Sequence, residues 1–193
     1  MGSDVMYGRP IIDYQSLDSE NKARVLLSDF RLCEMDIEFA QERINDLKRP
    51  IDNDVFFYYL PGITLTSEAI KKRKEEVEKH HQHQLWKYER KLSYAQWLIK
   101  YVGGALEFIK STMPDHYNVL RMVYVEREGF RDEPVKALLS QLGMTPKIYR
   151  RIRNEAMQKF LTLCPVDTMP YIDQIEAHYV KLKAGPKRTR KGI

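Results

Sequence analysis

Two long stretches in which apolar residues return every third or fourth position confine this chain to a helical fold. In the first, Leu26, Phe30, Cys33, Ile37, Ala40, Ile44 and Leu47 fall on one side of a 3.6-residue period. In the second, Leu85, Tyr88, Leu92, Ala95, Ile99, Val102, Leu106, Ile109 and Met113 do the same. Local signals bound both: Asp18 can cap the first helix, which must stop before Pro50. Thr66 or Ser67 starts the second, with Glu68 in its first turn, and Pro114 ends it. Seams this narrow pair with each other as an antiparallel hairpin, with a second copy of the chain, or with both. Gly103-Gly104 interrupts the second run at about 1 kcal/mol per glycine relative to alanine. The pair is a candidate joint, which either kinks the helix or admits a close neighbour.

A different pattern runs from Glu133 to Leu163. Pro134 opens a short apolar helix (Val135, Leu138, Leu139, Leu142), and Gly143 can turn the backbone out of it without a Cβ clash. Thr145 can cap the next helix, and Pro146 fits its first position, where no N–H is needed. That second helix, to about Leu163, carries a buried stripe of Tyr149, Ile152, Ala156, Phe160 and Leu163. Lys147, Arg150, Arg151 and Asn154 recur on the same period along a separate face. A helix-turn-helix with such a face suits the DNA major groove, where Arg and Lys pair with guanine and Asn with adenine. Arg153 and Lys159 are expected on phosphates. The plain alternative is a solvated basic face on an ordinary helix pair.

The segment Thr145 to Met157 resembles the recognition helix of sigma-70 region four: a Thr start, apolar residues four and seven positions later, and an Ala-apolar pair at eleven and twelve. By position, the resemblance makes Lys147, Arg150 and Arg151 the expected base or phosphate readers. Leu120 to Val125, followed by a polar segment, is similar to the helix preceding that motif in the ArpU and RinA group of phage late-gene transcription regulators. The likeness is sharp over about residues 115 to 163 and architectural before them. It departs at Pro146 and Lys147, where sigma factors carry polar or acidic residues, so no promoter element is transferred.

Charge divides unevenly. Of the 32 Lys plus Arg and 27 Asp plus Glu, residues 1–142 hold 21 and 23, a balance of −2, and residues 143–193 hold 11 and 4, a balance of +7. The excess points to a polyanion partner bound more weakly as salt rises. A chain of 193 residues with 43% hydrophobic and 31% charged residues has room for one substantial domain, or for a helical scaffold with a small DNA-binding part. No apolar run approaches the roughly 20 residues that span a bilayer, and no secretory leader is evident. Cytoplasm is the expected location, in a bacterial host if the chain is phage-derived. Cys33 and Cys164 lie too far apart for zinc spacing; Cys33 is expected buried and Cys164 partly exposed.

The remaining stretches are less specific. Residues 1–17 read as a flexible or loosely docked arm. Residues 48–66 form a long connection with Phe56, Phe57, Tyr58 and Tyr59, expected to cap the hairpin core, the alternative being a contact for a second subunit or for polymerase. Asp115 to Val125 reads as the first helix of the DNA-binding part, and Glu126 to Asp132 as a charged turn. Ile172, Ile175, Tyr179 and Leu182 suggest a last short helix before a basic tail of Lys181, Lys183, Lys187, Arg188, Arg190 and Lys191. His80, His81 and His83 cluster without a Cys and amid Gln and Lys, so a solvated surface is favoured over metal. Lys71 to Lys74 face Glu75, Glu76 and Glu78, as in a salt-bridged surface. No phosphate loop, nucleophile elbow or His-Glu metal pair suggests an enzyme.

The expectation is an all-α chain: arm 1–17; coiled-coil-like scaffold 18–113; helix-turn-helix domain 114–164; short helix and tail 165–193. Its expected function is that of a sequence-specific transcription regulator, an activator of phage late genes as the resemblance implies, with no cofactor or metal and with double-stranded DNA as partner. RNA polymerase and a second copy through the helical half are further expected partners, and a membrane is not. The rival readings are an oligomeric packaging adaptor with nonspecific DNA contact and a sigma-like polymerase-binding factor.

Overall fold

The computed structural model describes residues 11–49, 66–126 and 136–177, and helices dominate it. Among the described residues six α-helices occur in order: α1 (Ser19–Leu47), α2 (Ser67–Trp97), α3 (Gly103–Thr112), α4 (Pro114–Leu120), α5 (Lys136–Gln141) and α6 (Pro146–Leu163). The Asp18 carboxylate accepts from Asn21 N–H at 2.8 Å, and Thr66 Oγ1 accepts from Ala69 N–H at 3.3 Å. Both long helices thus begin where a polar side chain satisfies an otherwise unpaired first-turn donor. No described helix is long and apolar enough to cross a membrane.

The two long seams meet each other within the chain. Tyr94 Oη donates to Asp29 Oδ2 at 2.9 Å, Phe39 and Tyr88 rings stand 5.9 Å apart, and His81 Nε2 contacts the Leu47 carbonyl. Partners descend along α2 as they ascend along α1, so the hairpin is antiparallel. In the outer half, Cys33, Ala40 and Ile44 are buried as the spacing requires. Towards the start of α1 the narrow seam gives way to burial on nearly every side: Asn21 and the whole run Ala23 to Asp29, Arg24 included, are buried. Here α1 is the central rod, touched by α2, α6 and the segments immediately after α2 and α4.

Two five-residue π-helical segments, Leu98–Val102 and Arg121–Val125, interrupt the regular winding. Gly103 N–H reaches back to the Leu98 carbonyl, and Glu126 N–H to that of Arg121 at 2.8 Å. The extra residue in such a turn rotates the downstream residues about the helix axis. Ile99, expected on the seam, is 41% exposed, while Trp97 and Leu98 are buried. Gly103 and Gly104 remain helical in α3, and a Cβ at Gly103 would come 3.4 Å from Phe30 Cε2. Of the two roles expected for that pair, close approach is the one seen at Gly103.

The ends of the described chain are built into the fold. Ile11–Ile12 (β1) pairs antiparallel with Ile175–Glu176 (β2), Ile12 opposite Ile175, and Tyr14 N–H donates to the Ile172 carbonyl at 2.9 Å. Tyr14 is 1% exposed, so residues 11–17 are not the loose arm expected of them. The short helix expected around Ile172 and Ile175 is likewise absent from the described residues. A 3-10 turn (Val166–Thr168) and β2 stand there instead, bound to α2 through Trp97 Nε1 to Thr168 Oγ1 at 3.0 Å and Lys91 Nζ to Glu176 at 2.7 Å. These tertiary partners outweigh a weak local period. Cys164, expected partly exposed, ends α6 inside the core at 4% exposure.

One buried cluster runs from Tyr14 through Leu26, Leu98, Ile109 and Leu120 to Phe160 and Ile175, across the expected boundary at residue 113. The aromatic connection Phe56–Tyr59, residues 1–10, the charged turn from residue 127 and the basic tail lie outside the described residues.

Candidate nucleic-acid interface

The corner before α6 is set by three residues. Gly143 takes φ +62°, its N–H donates to the Ser140 carbonyl at 3.1 Å, and Met144 N–H donates to that of Leu139 at 3.0 Å. This pair of bonds closes a helix with a left-handed residue, the conformation that glycine adopts at least cost. Thr145 Oγ1 then accepts from Ile148 N–H at 3.4 Å, and Pro146 occupies the first turn.

Burial of one side holds α6 in place. Tyr149 and Ile152 pack on Val119 of α4, with Met122, Val123, Leu139, Leu142 and Met144 around them. One turn on, Ala156, Met157 and Phe160 enter the main core, where Tyr124 Oη donates to Met157 Sδ at 3.4 Å. Burial pushes the Tyr124 phenol up to about 12, so it remains a donor. Enclosing a side chain the size of Phe160 contributes about 1.5–3 kcal/mol. Tyr149, Ile152, Met157 and Phe160, the four large buried side chains of α6, hold the helix by this side and leave the opposite face to solvent.

Lys147, Arg150, Arg151 and Asn154 are all exposed on that face. Lys147, Arg151, Asn154 and Gln158 succeed one another by four, three and four residues, so they form one line along the helix. Gln158 lies outside the expected set; its place four residues beyond Asn154 is the signal that marks it. The basic groups occupy the first half, at the end of the helix that approaches base edges in known helix-turn-helix complexes. Beyond it, Asn154 and Gln158 border a hollow of about 230 Å³ with Ser19 and Glu20 at the start of α1.

The other two expected contacts are placed differently. Lys159 is exposed but off the line, its Nζ 6.0 Å over the Phe108 ring of α3. Arg153 is turned inward: its side chain is 25% exposed, with one terminal nitrogen 3.9 Å from Glu20 and 3.3 Å from the Asn154 side-chain oxygen. Its Nε is buried and has no hydrogen-bond partner among the described residues. Position 153 lies four residues from Tyr149 and three from Ala156, which puts it towards the packed side and off the exposed line of Lys147 and Arg151.

Among the described residues no group of three metal-ligating side chains converges. Burial pushes the Cys33 thiol up to about 11 and that of Cys164 to about 12, away from nucleophilic thiolates. No family model, curated protein or solved structure matches the chain.

Proposed function

We propose that this protein is a sequence-specific double-stranded-DNA-binding regulator of transcription that inserts the first half of α6 into the major groove. The observation that carries the reading is the exposed line of Lys147, Arg151 and Asn154, with Arg150 beside it, on a helix anchored along its opposite side. The +7 balance of residues 143–193 supports it, since a basic C-terminal part lends affinity through phosphate contacts whatever the sequence. The likeness to sigma region four and to the ArpU and RinA group points to control of phage late genes, in the cytoplasm of a bacterial host.

Selection from a randomised duplex pool tests this, with titration of the selected duplex and a scrambled one at several salt concentrations. The expected result is at least about a hundredfold preference near physiological salt, about 2.7 kcal/mol. Each of Lys147→Ala, Arg150→Ala and Arg151→Ala should cost about 1–3 kcal/mol where it removes a base contact, and relax preference at one position. Equal binding of both duplexes, vanishing together with salt, would refute the reading and leave a polyanion anchor.

A further inference from the structure

Glu155 is the one acidic residue in α6, and it stands on the flank of the polar face. Both carboxylate oxygens are engaged. Oε1 lies 3.9 Å from Nε of Arg151, one turn earlier, and Oε2 lies 3.4 Å from Nε2 of His116 on α4. The side chains grade from interior to solvent: His116 is 20% exposed, Glu155 52% and Arg151 70%. A largely buried imidazole thus stands beside the carboxylate on one side, and the most exposed of the three groups stands on the other.

An acid in this position opposes plain attraction to phosphate. A carboxylate on this flank repels any phosphate that comes within the Debye length of about 8 Å, so it raises the energy of encounters that bring the duplex backbone to this side of the helix. It also limits the rotamers open to Arg151, so fewer are lost when the guanidinium meets a base edge. Both effects act on the ratio of specific to nonspecific binding more than on affinity.

We propose that Glu155, braced by His116, is a positioning residue that sets sequence discrimination, by orienting Arg151 and by weakening nonspecific phosphate contact. The proposal rests on the reading of α6 as the recognition helix. Its test compares wild type, Glu155→Gln, Glu155→Asp, His116→Gln, Arg151→Ala and the double variant Arg151→Ala with Glu155→Gln. Each is titrated on the selected and scrambled duplexes near physiological salt.

Glu155→Gln is expected to bind the scrambled duplex about three- to tenfold more tightly with little gain on the selected one, so discrimination falls by up to about tenfold. Glu155→Asp, which keeps the charge, should recover part of it. His116→Gln, which leaves α6 itself untouched, should give a smaller loss in the same direction. In the Arg151→Ala background, Glu155→Gln should change discrimination by less than half as much, because no guanidinium remains to orient. Unchanged discrimination in Glu155→Gln, or an equal fall in both backgrounds, would overturn the proposal while the recognition helix stood. Absence of any discrimination in wild type would overturn both.

Discussion

Alanine at Gly104 and alanine at Gly143 should shift stability in opposite directions, although an added Cβ meets nothing within 4 Å at either position. With packing equal, backbone conformation decides the sign. Gly104 lies in α3, where replacing glycine by alanine removes unfolded-state freedom and gains about 1 kcal/mol. Gly143 holds φ +62°, where an L-residue pays about 1–2 kcal/mol. The stiffer unfolded chain returns about 0.4–1 kcal/mol of that, so the net loss is about 1 kcal/mol. The two variants should therefore differ by about 2 kcal/mol. At about 2–4 °C per kcal/mol for a chain of this size, their thermal midpoints should lie several degrees on either side of wild type. Gly143→Asn should lose less than Gly143→Ala, since asparagine tolerates the left-handed region. Urea and thermal denaturation monitored by helical circular dichroism measure all three. A Gly143→Ala variant as stable as wild type would refute the left-handed closure of α5, and a destabilised Gly104→Ala would refute the helical interior at that position.

Other consequences are as direct. Cys33 and Cys164, with thiols raised to about 11 and about 12 chiefly by burial, should react slowly with a thiol reagent in the native protein at about pH 8 and rapidly in urea. Because the unfolded thiols ionise first as pH rises, native stability should also fall above the ordinary thiol range; native reaction at the rate of a free thiol would contradict their burial. Burial opposes ionisation of Glu176, but Lys91 at 2.7 Å and Lys87 at 3.5 Å hold it below the ordinary carboxylate range. Its contribution is present above that range and lost as pH falls through the lowered value. Glu176→Gln should therefore cost about 1 kcal/mol near neutrality, and the difference from wild type should close on acidification in denaturation curves; a constant difference would show that the charge is irrelevant. Phe160→Ala, at a fully buried position, should cost about 3–5 kcal/mol in urea denaturation. A loss under 1 kcal/mol would mean that α6 is not anchored there.

The exposed line on α6 is legible in the sequence because its determinants are local. Thr145, Pro146 and Gly143 act on neighbouring backbone groups, and a three-four period separates Tyr149, Ile152 and Phe160 from Lys147, Arg150 and Arg151 whatever surrounds the helix. The place of Arg153 is not legible in this way, because an Arg beside a buried stripe looks the same in sequence whether it points to solvent or packs inward. The difference lies in Glu20, 133 residues earlier, whose carboxylate comes within 3.9 Å of it. The pairing of Glu155 with His116 depends in the same way on α4 crossing α6 at that level.

Local residue order is enough to set the helices, their caps, the corner at Gly143 and the two-faced character of α6, because each depends on groups within a turn or two of one another. Long-range packing was needed to settle that the two seams close on each other, that the start of α1 becomes the central rod with Arg24 and Asp29 buried, that residues 165–177 strap onto α2, and that residues 11–17 pair with that strap. It also settles that Leu98, three residues after Ala95, and not Ile99 faces inward. These features come from contacts between segments far apart along the chain. Burial there is shared among several elements, and no local period records which of them will supply the covering surface.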